Sequence, residues 1–280
     1  MVDPVFPIVD EPALIVNFSD KKILCIADLH LGYEFLLAQK GVVIPPQAGG
    51  MRDKILKLIE QTNADTLIML GDVKHNIFRV SRAEWRGVTK LLEDLSERVD
   101  VQITLGNHDA NIDLLLPNNK ILVHSSRGFL IESEDIKVGF IHGHAWPQPD
   151  LLKSDYIIVG HNHPVIEMRD EMGGKWNIPA WIELEEKKEK IAYSLANHLG
   201  LREDSNQIRR STQIESVKIM VIPAFNTLLG GIALNRPDIK FLGPLLSSTI
   251  MEKSIAKVKL LDGTYLGSLE NCSELATQKG

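Results

Sequence analysis

Asp28-Leu29-His30, Gly71-Asp72, Gly106-Asn107-His108-Asp109, His142-Gly143-His144 and Gly160-His161-Asn162-His163 place carboxylates, imidazoles and an amide in short, separate groups. These residue types make a mixed oxygen and nitrogen donor set, suited to manganese, iron, zinc or a similar divalent ion. No thiolate accompanies them, so a closed structural zinc site has no signature here. Two ions roughly 3.5–4 Å apart can share one carboxylate, and such pairs drive the hydrolysis of phosphate esters. Asp72, alone after its strand, is the natural bridge. Asp28 and His30 alternate outward from one strand end, so both can face one ion. His161 and His163 also stand two apart, but a loop could send them to different ions.

Each group follows a strand-like run: Ile23–Ala27, Thr66–Leu70, Val101–Leu105, Val138–Ile141 and Tyr156–Val159. Packing alone gives no reason to end five strands this way, whereas a rigid edge is a good carrier of chemistry. Between the strands, Leu31–Lys40 has helical composition with Gly41 as a stop, and Met51–Gln61 carries a stripe at Ile55, Leu58 and Ile59. Ser81 and Glu84 form a capping-box pattern ahead of a helix with Trp85, Val88, Leu91, Leu92 and Leu95 as its buried stripe. The alternation of strand and helix over the first 105 residues is that of a layered α/β protein. Residues 1–12 read as an irregular lead-in. From 120 to 183 the texture turns to short strands, Glu185–Leu199 is charged and helical, and 186–215 is expected to be an insertion. Lys218–Ile222 returns as a strand, and Asp262-Gly263 marks a hairpin.

The chain has 280 residues, 44% hydrophobic and 24% charged, as expected of a globular protein, here taken as one domain over 1–280. Its net charge of −6 lacks the basic footprint of a general nucleic-acid binder, although bound cations would make the field positive where phosphate must sit. Cys25 and Cys272 fit no paired spacing, and Cys25 reads as a small buried hydrophobe. Met1-Val2-Asp3-Pro4 lacks the basic start of a signal peptide, and no apolar run reaches the ~18 residues that span a bilayer. No membrane association is expected, and the cytoplasm is the expected compartment.

Taken in order, the five motifs resemble those of the calcineurin-like metallophosphoesterases. Ile222-Pro223-Ala224-Phe225-Asn226 and Gly230-Gly231 resemble an archaeal branch related to the SbcD/Mre repair nucleases. The resemblance implies an α/β (α+β) fold, a four-layer sandwich of two mixed β-sheets flanked by helices. It implies two divalent ions, manganese first and iron, zinc or nickel as alternatives. One ion would be held by Asp28, His30, Asp72 and His163, the other by Asp72, Asn107, His142 and His161. His108 would protonate the leaving oxygen or clamp the phosphate, with Asp109 orienting its ring, while activated water attacks phosphorus in line. Nucleic acid, a homodimer and a DNA-repair protein are the partners it implies.

Other residues carry weaker signals. His75 could touch a phosphate or support a ligand, and a solvated loop is an equal reading. His144 could orient His142 or contact substrate. His124 and His198 read as ordinary. Lys74, Arg79 and Arg82 could bind a phosphate backbone or simply be solvated, and Trp146 could stack a base, with packing the better reading. Three function classes remain open. They are a phosphodiesterase on nucleic acid, a phosphodiesterase or monoesterase on small nucleotides or other esters, and a partner-binding protein with a vestigial metal site.

Overall fold

The computed structural model describes residues 3–77, 82–117, 121–170, 172–200, 216–247 and 252–277. Apolar runs of four to six residues, too short for a buried helix and rich in Ile and Val, form most of its strands. The elements run β1 (Val5–Pro7), β2 (Leu14–Asn17), β3 (Lys22–Ile26), α1 (Tyr33–Gln39), α2 (Ala48–Thr62), β4 (Thr66–Met69), α3 (Arg82–Ser96), β5 (Asp100–Thr104) and β6 (Ile121–His124). There follow β7 (Phe129–Glu132), β8 (Lys137–Ile141), β9 (Tyr156–Val159), β10 (Pro164–Arg169), β11 (Lys175–Lys187) and α4 (Lys188–His198). The chain ends with β12 (Ser216–Val221), β13 (Ile232–Ala233), β14 (Lys257–Leu260), β15 (Tyr265–Ser268) and α5 (Ser273–Thr277).

Two mixed sheets result. The first has the order β1-β2-β3-β4-β5-β6, parallel from β3 to β6. The second has the order β13-β10-β11-β12-β9-β8-β7, with β14 and β15 added beside β11. Leu14, Ile23, Cys25 and Ile68 of the first sheet meet Val138, Phe140, Ile158 and Trp181 of the second in the core between them. Leu24, Ile26, Leu67 and Met69 face the other way, onto Ile55 and Leu58 of α2 and Val88, Leu91 and Leu92 of α3. Ile157, Val159, Ile182 and Ile219 pack outward against Leu151 and, on α4, Ile191. Each fully buried Leu or Ile contributes about 1.5–3 kcal/mol. The sandwich therefore has four layers, as the resemblance implies.

Some local expectations change. Residues 5–7 are not irregular: they pair with β2 at a sheet edge, where Pro7 costs no ladder bond. Trp85 is 42% exposed and lies off the buried stripe that Val88, Leu91, Leu92 and Leu95 form. The Ser81–Glu84 cap and residues 201–215 of the expected insertion lie outside the described residues. Glu186 and Lys187 still belong to β11, paired with Val217 and Ser216, because the ladder to β12 overrides their charged composition. α4 follows β11 directly, and β12, which begins at Ser216, is the antiparallel neighbour of β11. No helix among the described residues is long and apolar enough to cross a membrane.

Candidate metal centre

Parallel pairing of β3, β4 and β5 in one sheet, and of β8 and β9 in the other, brings the five motif-bearing strand ends to one rim. Leaving a strand into a tight turn forces unusual backbone. Eight non-glycine residues among those described have positive φ, and five are Asp28 (58°), His30 (43°), Asp72 (50°), His161 (67°) and His163 (40°). Such conformations persist only where the surroundings hold them. Between the first two turns the hold is backbone to backbone: His30 N–H donates to the Asp72 carbonyl at 2.7 Å and Asp28 N–H to that of Gly71 at 3.2 Å.

The side chains converge in two sets. Asp28, His30, Asp72 and His163 present donor atoms within 4.8 Å of one another, and so do Asp72, His142 and His161. Asp72 belongs to both. Its Oδ2 lies 3.3 Å from His30 Nε2 and 3.5 Å from His142 Nε2, while its Oδ1 accepts the His108 N–H at 2.8 Å. Asp28 Oδ1 lies 3.1 Å from His163 Nε2, and its Oδ2 accepts the His161 N–H at 3.0 Å. Asn107 Oδ1 joins the second set, 3.2 Å from His142 Nε2.

Proximity here is not mutual satisfaction. Asp28 Oδ1, His30 Nε2, His163 Nε2 and His144 Nδ1 are buried and make no hydrogen bond among the described residues. Each such orphan costs about 1–3 kcal/mol. The first three crowd a common point without bonding one another and fit a divalent cation between them, and the oxygen and imidazole donors suit one.

The electrostatics agree. Burial opposes charge on His142, yet its hydrogen bond to Asp72 and the charges of Asp28 and Asp72 push it up to about 9. Burial likewise opposes ionisation of Asp72, but His142 and His30 hold it well below the usual carboxylate range. Asp28, also resisted by burial, is lowered by His163 and His142. Burial lowers His30 to about 3 and, with help from His142, His161 to about 4. Two buried carboxylates thus demand positive charge at the rim, and without cations a proton on His142 supplies it.

The remaining candidates occupy different places. His75 Nδ1 is 3.2 Å from His30 Nδ1, and its ring stacks on that of His108 at 5.3 Å. His30, His75 and His108 bring ring nitrogens within 4.8 Å, a third group of donors at the same rim. His144 packs edge-on against His142 at 5.2 Å. The expectation that Asp109 orients the His108 ring is corrected. Its carboxylate accepts backbone N–H bonds from Val73 and Gly106, both at 2.9 Å, while His108 Nδ1 is engaged by the His75 carbonyl at 2.5 Å. Asp109 therefore joins the Asp72 and His108 loops, and burial raises it to about 6.

Lys74 is neither solvated nor open to a phosphate backbone. It is fully buried, and its ammonium donates to the carbonyls of His108 at 2.5 Å and Asn76 at 2.6 Å. Trp146 stacks on His198 at 4.9 Å against the second sheet's outer core, so packing accounts for it. His124 bonds to Gln102 and stacks on Phe129, while Arg79 lies outside the described residues. Sequence reasoning missed Tyr33, edge-on to His75 at 5.0 Å, and the buried amide Asn162. Helical composition explained Tyr33, and Asn162 served only as the spacer between two histidines.

Comparison with known proteins adds an independent line. The model of the calcineurin-like phosphoesterase family matches residues 21–198, more than half of the chain. Phosphodiesterase YfcE of Escherichia coli K12 is 31% identical over 132 residues, covering 43% of this chain and 66% of YfcE. The chain thus spans just under two thirds of that relative's length. The crystal structure of Pseudomonas putida nuclease MPE shares the fold with a TM-score of 0.50 and 17% identity, covering 92% of this chain and 97% of that one. With its five motifs at one rim and a family match that spans every one of them, the chain belongs to the calcineurin-like phosphoesterases, hydrolases of phosphate esters.

Proposed function

We propose that the chain is a phosphodiesterase that works with two divalent cations, manganese first, and cleaves nucleic acid, with DNA repair as the setting. The observation that carries the reading is Asp72, shared by two sets of converging donors. Asp28, His30 and His163 would complete one cation's shell, and Asn107, His142 and His161 the other. When bound, such a pair neutralises charge on a phosphoryl oxygen and makes water acidic enough to act as a nucleophile near neutral pH.

The chain's own residues then have assignable tasks. With its Nε2 lone pair given to a cation beside Asp72, His30 would carry its proton on Nδ1 and donate to His75 Nδ1. That leaves the Nε2–H of His75 as a donor for a phosphoryl oxygen. His108, whose Nδ1–H is taken by the His75 carbonyl, keeps Nε2 for the exchangeable proton, and in its imidazolium form would deliver that proton to the leaving oxygen and return to the neutral Nδ1–H ring. Nucleic acid is favoured by the fold shared with a nuclease over nearly the whole chain. The net charge of −6 favours the second reading, a small phosphodiester.

The test is a manganese-loaded substrate panel of single-stranded DNA, duplex DNA, RNA and small nucleotide diesters, run at low and high salt. Cleavage of a polynucleotide that weakens steeply with salt is expected. Turnover of small esters alone, even at low salt, sinks the nuclease reading. Asp72→Asn should lose two-cation stoichiometry and more than about a hundredfold in rate. Two manganese ions still bound by that variant would refute the bridging role.

A further inference from the structure

The family match ends at residue 198, yet much of what restrains the donor loops comes from later in the chain. Phe225 N–H donates to the Ala27 carbonyl at 2.8 Å, and the buried Asn226 amide donates to the Leu29 carbonyl at 2.9 Å, across 197 residues. The Asp28–His30 turn is thereby held from behind. Ile232 N–H donates to the His163 carbonyl at 2.9 Å. Asn162, fully buried between His161 and His163, grips Leu242 twice. Its Oδ1 accepts the Leu242 N–H at 2.8 Å and its Nδ2 donates to the Leu242 carbonyl at 3.2 Å. One residue further on, Gly243 (φ 81°) lies so close to Gly143 that a Cβ there would overlap the Gly143 carbonyl.

We propose that Asn162 and Asn226 are positioning residues for the metal centre, and that the contacts of Phe225, Asn226, Ile232 and Leu242 with the donor loops are part of that centre. This inference rests on the two-cation reading. Asn162 sits between two donors in left-handed conformation, and Asn226 clamps the loop that bears two more. Both amide oxygens are already engaged, Asn162 Oδ1 by the Leu242 N–H at 2.8 Å and Asn226 Oδ1 by the Leu228 N–H at 3.0 Å. Asn162 ties its turn to both the N–H and the carbonyl of Leu242, and Asn226 ties the Asp28–His30 turn through the Leu29 carbonyl, so that removing either amide frees the turn to relax and the donors to spread. Residues supporting metal ligands in this way are typically worth about 10–100-fold in metal affinity.

The structure contains its own control. Asn235 is a buried asparagine that makes the same kind of clamp, accepting from Glu167 N–H at 2.9 Å and donating to the carbonyls of Glu167 and Cys272, both at 2.9 Å. It holds no donor loop. Manganese titration by calorimetry on the whole chain and on Asn162→Ala, Asn226→Ala and Asn235→Ala decides the matter, with melting temperatures measured in chelator. The expected result is a loss of about 10–100-fold in manganese affinity for the first two. Asn235→Ala should melt lower and bind as the wild type does. Equal manganese affinity in all four proteins overturns the positioning role while leaving the cation reading intact. A wild-type chain that takes up no manganese overturns that reading itself. Should the alanine variants fail to fold, amide exchange in the wild type suffices: manganese should slow exchange at Leu242 N–H, and an unchanged rate overturns the proposal.

Discussion

His108 Nδ1 lies 2.5 Å from the carbonyl oxygen of His75, and the two imidazoles stack with centroids 5.3 Å apart. A backbone carbonyl can only accept, so Nδ1 of His108 must be the donor, and the ring's tautomer is fixed without any help from Asp109. An imidazole held this way offers its second nitrogen for proton transfer.

The consequence is a dependence on the leaving group. His108→Asn should slow diesters with alkoxide leaving groups by about 10²–10⁴-fold. Diesters that release nitrophenolate need little protonation and should slow far less. Steady-state kinetics on matched diesters that differ only in the leaving group measures the ratio. An equal loss on both would mean that His108 holds the phosphate and does not protonate the departing oxygen.

The cation-free protein should be most stable near pH 6.5. Burial depresses His30 to about 3 and His161 to about 4, so below pH 6.5 the unfolded chain binds more protons and stability falls as pH falls. His142 has the opposite sign. Burial opposes its charge, but Asp72 and Asp28 raise it to about 9, so its contribution is complete below pH 6.5 and is lost as pH rises through 9. His163, raised by Asp28 despite burial, adds to that loss. Asp109, raised to about 6 by burial, works against the acid arm, one carboxylate against two imidazoles. Scanning calorimetry in chelator across this range should find the maximum near neutrality. A melting temperature still climbing at pH 9 would show that His142 holds no proton in the folded, cation-free state.

What could be read from the residues alone depended on how local the cause was. The strand ends were legible because a short apolar run followed by Asp or His is visible within a few positions, and parallel pairing then aligns the ends. Lys74 was misread because a lysine after a turn looks solvated, and only the carbonyls of His108 and Asn76 in space turn it inward. Asp109 looked like a partner for the ring beside it, yet a carboxylate turned toward its own backbone finds N–H groups first. Asn226 and Asn162 stand inside motifs visible in the sequence, but what they hold could not be read there. Their partners stand 197 and 80 residues away, and an isolated asparagine gives no hint of which loop will fold onto it.

Glycine at position 106 separates steric need from mere permissiveness. A Cβ built there would fall on the carboxylate and backbone nitrogen of Asp72, and the Gly106 N–H already serves Asp109 at 2.9 Å. Gly106→Ala must therefore push the Asp72 loop away. It should destabilise the protein by at least about 1–3 kcal/mol and abolish two-cation binding, because the shared carboxylate moves. Gly50, exposed within α2 and with nothing within 4 Å of a built Cβ, is the opposite case. There alanine should stabilise by about 0.5–1 kcal/mol through helix propensity alone. Urea denaturation with manganese titration on both variants measures the contrast. Wild-type manganese stoichiometry in Gly106→Ala would mean that the Asp72 carboxylate does not occupy the shared position assigned to it.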